Sequence, residues 1–115
     1  MIQQSSTDSV QSVFPCLRGT LVVSCQADPG DPMDDVDTIQ RIAASVLCGG
    51  AAGLRAEGAV YVRALRVITD LPIIAMVKTK DSNGDVYITS TFAAAQSVSD
   101  AGADVIALDC TNRRL

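Results

Sequence analysis

The chain of 115 residues contains no histidine. That removes the commonest general base and the commonest metal ligand. Any catalysis must fall to Lys, the carboxylates, Cys or Tyr. Aromatic residues make up only 3%, so a core has to be built from Val, Ile, Leu and Ala, as in parallel sheets buried on both faces. Basic clusters are missing and the formal net charge is −4, which argues against nucleic-acid binding. The cysteines are Cys16, Cys25, Cys48 and Cys110. None forms a C-x-x-C pair, so neither a zinc site nor a redox motif is signalled. Cys25 and Cys48 fall in expected strand and helix interiors, where a free thiol behaves as a small hydrophobe. A reducing cytoplasm is the simplest compartment for such a chain. No run approaches the roughly 20 apolar residues of a membrane span. Residues 1–13 lack the basic start and apolar stretch of a signal peptide.

What the sequence does contain is four apolar runs, each ending at or near a polar residue. They are LVVSCQ (21–26), AAGLRAEG (51–58), PIIAMVK (72–78) and ADVIALD (103–109), and their polar residues are Gln26, Arg55, Lys78 and Asp109. The spacings are 29, 23 and 31 residues, each the size of a βα repeat. Polar groups at the carboxyl ends of successive parallel strands are the active-site arrangement of a (β/α)8 barrel. Four such units make half a barrel, because a complete one needs about 200 residues or more. The expected organisation is a Ser- and Gln-rich arm over residues 1–18 and an N-terminal half-barrel over residues 19–115.

Between the runs the periodicity changes. ADPGDP (27–32) is a loop, and Asp34 or Asp35 caps the helix that follows. Val36, Ile39, Ile42, Ala43, Val46 and Leu47 follow helical spacing, which predicts a helix over 35–47 stopped by Gly49 and Gly50. A second helix is expected over 59–68, with Arg63 and Arg66 facing solvent. The third strand is read as continuous from Pro72 to Lys78. TKDSNGD (79–85) is then a charged loop with an Asn-Gly turn, and a third helix covers 88–101. Gly50 to Leu54 and Gly102 to Ile106 echo each other, small residues leading from a helix end into a strand.

Lys78 is the leading candidate for chemistry. It closes the apolar run PIIAMV, where burial and the nearby Arg55 would push its pKa down toward that of a base. The competing reading is a strand-end lysine that reaches solvent. Arg55 and Glu57 share one side of their strand by alternation. They are either site residues or an ion pair at the edge of the core. Gln26 is a candidate hydrogen-bonding partner for a sugar hydroxyl or amide. Asp109 suits capping as well as catalysis. Thr111 and Arg113 lie in the following loop, within reach of a ligand, whereas Lys80, Asp81 and Asp85 read as a solvated loop.

Five runs together carry a family resemblance: LVVSCQ (21–26), LRAEG (54–58), DLPIIAMVK (70–78), VYIT (86–89) and AGADVIALDCTNR (101–113). In this order they resemble the bacterial N-acetylmannosamine-6-phosphate 2-epimerases of sialic-acid catabolism. The resemblance implies a (β/α)8 barrel that inverts C2 of an open-chain amino-sugar phosphate. C2 adjoins the C1 aldehyde, so its proton is acidic enough to be removed. The resemblance implies proton transfer by Lys78. It further implies a sugar site lined by Gln26, Arg55 and Asp109, and no metal or organic cofactor. It also implies that a second catalytic carboxylate and the phosphate-binding loops belong to the other half of the barrel. Ala75 stands where Gly is usual, Ala56 where Ile is common, and Thr79-Lys80 where Arg-Asp is more usual. Two other readings are a catalytically silent fragment, needing a partner or self-association to cover its open edges, and another phosphosugar barrel. The SCQ and VYIT runs argue against the last.

Overall fold

The computed structural model describes residues 13–112. Arg113 and residues 1–12 of the expected arm lie outside the described residues. Residues 13–17, within the expected arm, are helical. Three further helices alternate with the main strands: β1 (Val22–Ser24), α1 (Val36–Cys48), β2 (Gly53–Glu57), α2 (Ala59–Ile68), β3 (Ile73–Met76) and α3 (Phe92–Asp100). A hairpin of β4 (Lys78–Lys80) and β5 (Val86–Ile88) precedes α3, and β6 (Val105–Ile106) follows it.

The sheet runs β1-β2-β3-β6, each pair parallel. Strands joined by helical crossovers stand side by side in chain order, so the sheet never reverses its winding as an open doubly wound sheet does. All three helices pack on one face. Their core joins Ile39 and Ala43 of α1, Val62 and Leu65 of α2, and Val98 of α3 to Cys25, Leu54, Ala56, Ile73 and Ala75 of the strand segments. The described core cluster contains no Phe or Trp, as the composition required. The opposite face carries Ser24, Arg55, Glu57 and Ile74, none of them buried. Helices outside, a polar sheet face inside and sequential parallel strands define a partial (β/α)8 barrel.

Local signals explain most boundaries. The Asp35 side chain accepts the Thr38 amide at 3.0 Å and starts α1, as an N-cap should. Gly50 and Gly102 both have positive φ, at 104° and 115°, so the two echoed segments turn out of their helices in the same way. Gly53 has a different reason. A Cβ there would sit 3.0 Å from Leu17 Cδ2 and 3.1 Å from the Pro72 carbonyl, so the glycine lets the residues 13–17 helix close the start of the sheet.

The structure corrects the sequence reading at three places. The third strand ends at Met76, and Lys78 opens an antiparallel hairpin in which Lys78 faces Ile88 and Lys80 faces Val86. Asp81 ties its turn, accepting the Asn83 and Asp85 amides through Oδ1 at 2.9 Å each. An Asn-Gly pair flanked by alternating residues favours such a hairpin over an open loop. The third helix therefore starts at Phe92, capped by Thr91. Second, Arg66 does not face solvent. It binds the carbonyls of Thr69, Leu71 and Gly102 and pairs with Asp104 at 2.8 Å. Arg63 is exposed as expected. Third, Cys48 is exposed because it ends its helix; Cys25 is buried.

Candidate active site

The carboxyl ends of β1, β2 and β3 open onto a cavity of about 340 Å³. That is large enough for a small ligand. Gln26, Ala27, Asp28 and Pro29 line it from the loop after β1, Glu57 from the end of β2, Lys78 and Lys80 from β4, and Val86 from β5. Two acidic residues, Asp28 and Glu57, thus border the same opening as two lysines. Lys78 and Lys80 are the chain's two lysines, and strand alternation turns both toward the same cavity.

Each polar group is held in its own way. Gln26 donates from Nε2 to Ser24 Oγ at 2.8 Å, which leaves its amide oxygen directed elsewhere. Glu57 accepts the Lys78 backbone amide through Oε2 at 3.2 Å. The hairpin is thereby tied to the end of β2. A smaller recess beside the cavity is lined by Cys25, Tyr61 and Asp34, among others. Tyr61 donates its hydroxyl hydrogen bond to the Asp34 carboxylate and joins α2 to the loop after β1. That bond, with lesser help from burial and nearby charges, pushes the Tyr61 pKa up to about 12. Burial alone pushes the Cys25 thiol up.

Of the six site residues expected from the sequence, Arg113 lies outside the described residues and the other five divide. Gln26 and Lys78 line the cavity together. Arg55 lies on the same sheet face as Glu57 but outside the cavity lining, its Nη2 3.4 Å from Met76 Sδ. Asp109 Oδ1 accepts the Thr111 amide at 3.1 Å, a local turn contact two residues on. Neither Asp109 nor Thr111 lines the cavity. Lys78 is exposed, not buried, because it starts the hairpin and does not finish an apolar strand. Asp28 and Lys80 are charged lining residues that sequence reasoning did not place in the site, whereas Glu57, weighed there as a site residue or an ion-pair partner, does line it. The signal for Glu57 was present in its i, i+2 relation to Arg55. For Lys80 it lay in the same relation to Lys78, hidden by reading the segment as a loop.

A family model described as "Putative N-acetylmannosamine-6-phosphate epimerase" matches residues 39–115. The chain belongs to the N-acetylmannosamine-6-phosphate epimerase family. A relative from Cutibacterium acnes, named "Putative N-acetylmannosamine-6-phosphate 2-epimerase", is 43% identical over 101 residues, covering 88% of this chain and 43% of the relative. Proteins of the same name from Yersinia pseudotuberculosis and Listeria innocua are 42% and 35% identical, covering 84% and 90% of this chain and 42% and 45% of the relatives. The N-acetylmannosamine-6-phosphate 2-epimerase of Clostridium perfringens has a solved structure similar to this fold. Its TM-score is 0.80 at 32% identity, over 87% of this chain and 44% of that one. The chain thus spans less than half the length of the epimerase relatives it matches. No helix among the described residues is long and apolar enough to cross a membrane, and no group of three or more His, Cys, Asp or Glu side chains is gathered there for a metal.

Proposed function

We propose that this chain supplies the proton-transfer half of an epimerase that interconverts N-acetylmannosamine 6-phosphate and N-acetylglucosamine 6-phosphate. The reading is carried by Lys78 and Gln26 lining one cavity at the strand carboxyl ends of a chain in the epimerase family. Lys78 removes or returns the C2 proton of the open-chain sugar, a general acid–base step worth typically 10²–10⁴-fold. Gln26 hydrogen-bonds a hydroxyl or the acetamido group. Glu57 fixes the backbone from which Lys78 projects. Arg55, Asp109, Thr111 and Arg113 act in orienting the sugar phosphate. The reaction serves breakdown of sialic acid in the cytoplasm, with no metal or organic cofactor.

Inversion at C2 requires groups acting on both faces of the carbon, and barrels commonly bind phosphate after strands 7 and 8. Residues beyond these strands, from the same polypeptide or a partner, complete the site and cover the polar sheet face. The test is turnover followed by NMR, with this chain alone and mixed with a separately expressed second half of a related epimerase. Turnover only after mixing supports the proposal. Turnover by the chain alone overturns the half-site reading. An assembled pair that binds the sugar phosphate without converting it overturns the epimerase reading.

A further inference from the structure

Thr89 ends the VYIT run, and nothing in the proposed chemistry uses it. Among the described residues it is the buried polar side chain of the core, 7% exposed. It is also a non-glycine residue with positive φ, 49°. A β-branched residue rarely adopts that conformation, and it persists only where its surroundings hold it. Here the hydroxyl holds it. Thr89 Oγ1 donates to the Ala107 carbonyl at 2.7 Å and accepts the Val77 amide at 3.0 Å. The Thr89 amide donates to the Val77 carbonyl at 2.7 Å.

Both polar backbone groups of Val77 are thus engaged by one residue. Val77 immediately precedes Lys78, and the Lys78 amide is itself held by Glu57. The two peptide groups on either side of Val77 are therefore fixed, and the second of them leads directly into Lys78, so the backbone from which the Lys78 side chain departs is held on its amino side. We infer that Thr89 is a positioning residue whose hydroxyl aims Lys78 into the cavity by clamping Val77 between β3 and β6. The inference deepens the proposed epimerase reading, on which the importance of Lys78 rests. It concerns geometry that can be measured without any substrate.

The two lysines make the measurement direct. Lys80 lies on the same strand, farther from the clamp, and serves as the internal control. Pulse acetylation of the 115-residue chain, read by tandem mass spectrometry, reports Lys78 and Lys80 separately. Thr89→Gly removes the hydroxyl while suiting the positive φ; Thr89→Ser keeps the hydroxyl. In Thr89→Gly the Lys78-to-Lys80 labelling ratio changes by about threefold or more, the effect of one lost hydrogen bond of ordinary strength. In Thr89→Ser it stays at the wild-type value. An unchanged ratio in Thr89→Gly overturns the inference, and so does an altered one in Thr89→Ser. Both lysines rising together in Thr89→Gly assigns the hydroxyl to hairpin stability and equally overturns it. No sugar phosphate enters the assay, so failure of the epimerase reading leaves its result intact.

Discussion

Replacing Arg66 tests the fold where the sequence reading went wrong. The guanidinium joins three segments at the end of the sheet opposite the cavity. Nε and Nη2 reach the Thr69 carbonyl at 3.2 and 2.9 Å, and Nη2 also reaches Leu71. Nη1 donates to the Gly102 carbonyl at 2.9 Å and to Asp104 Oδ2 at 2.8 Å. That same Asp104 oxygen accepts the Ile73 amide at 2.9 Å, at the start of β3. Hydrogen bonds to charged groups contribute about 1.5–3 kcal/mol each when well buried. The Arg66 and Asp104 side chains are 25% and 34% exposed, so water recovers much of the loss. The net cost of Arg66→Ala is therefore about 2–3 kcal/mol. With a urea slope of about 1–1.5 kcal/mol per molar, the unfolding midpoint falls by about 2 M. Arg66→Lys recovers little, since an ammonium cannot span carbonyls in a fork. Arg63→Ala is the control on the same helix, exposed and expected within about 0.5 kcal/mol of wild type. An Arg66→Ala midpoint no lower than that of Arg63→Ala refutes the reasoning.

Two further outcomes follow from the perturbed groups. Tyr61 has its folded pKa raised from 10.0 to about 12, so its stabilising contribution is complete below pH 10 and is lost as pH rises through about 12. Alkaline unfolding curves of wild type and Tyr61→Phe should differ in slope across that window, and coincident curves would remove the Asp34 bond as the cause. Cys16, Cys48 and Cys110 are exposed while Cys25 is 2% exposed, its thiol pushed up by burial. A thiol reagent should therefore modify the first three promptly and Cys25 only at the rate of opening. Prompt reaction at Cys25 would contradict its placement beneath α1.

The parts legible in the sequence were those governed by local chemistry. Helix α2 was read at its observed bounds, because its apolar spacing runs uninterrupted between Gly58 and Asp70. Helix α1 came within a residue, its Asp35 cap and paired glycines acting through their own backbone. The hairpin was misread because PIIAMVK is apolar up to a lysine, and an apolar run does not reveal where a parallel strand stops pairing. Pairing of β3 stops at Met76, opposite Glu57 of β2, and β6 reaches only Ile74 and Ala75. The same blindness to partners hid Arg66, whose acceptors come from two different connections, residues 69–71 and 102–104. Lys78 and Gln26 were found because they close apolar runs. Asp28 and Lys80 were not, since they join the cavity only once the hairpin folds beside the loop after β1.

The central claim rests on Lys78 as the group that moves the C2 proton. It is tested most directly by deuterium incorporation at C2 of N-acetylmannosamine 6-phosphate in heavy water, followed by NMR. The assembled pair of this chain and a second half-barrel is compared with the same pair carrying Lys78→Ala. Exchange in the wild-type pair, and its loss by about 10²-fold or more in the folded Lys78→Ala pair, is the expected result. Exchange at the wild-type rate in a folded Lys78→Ala pair would contradict the account.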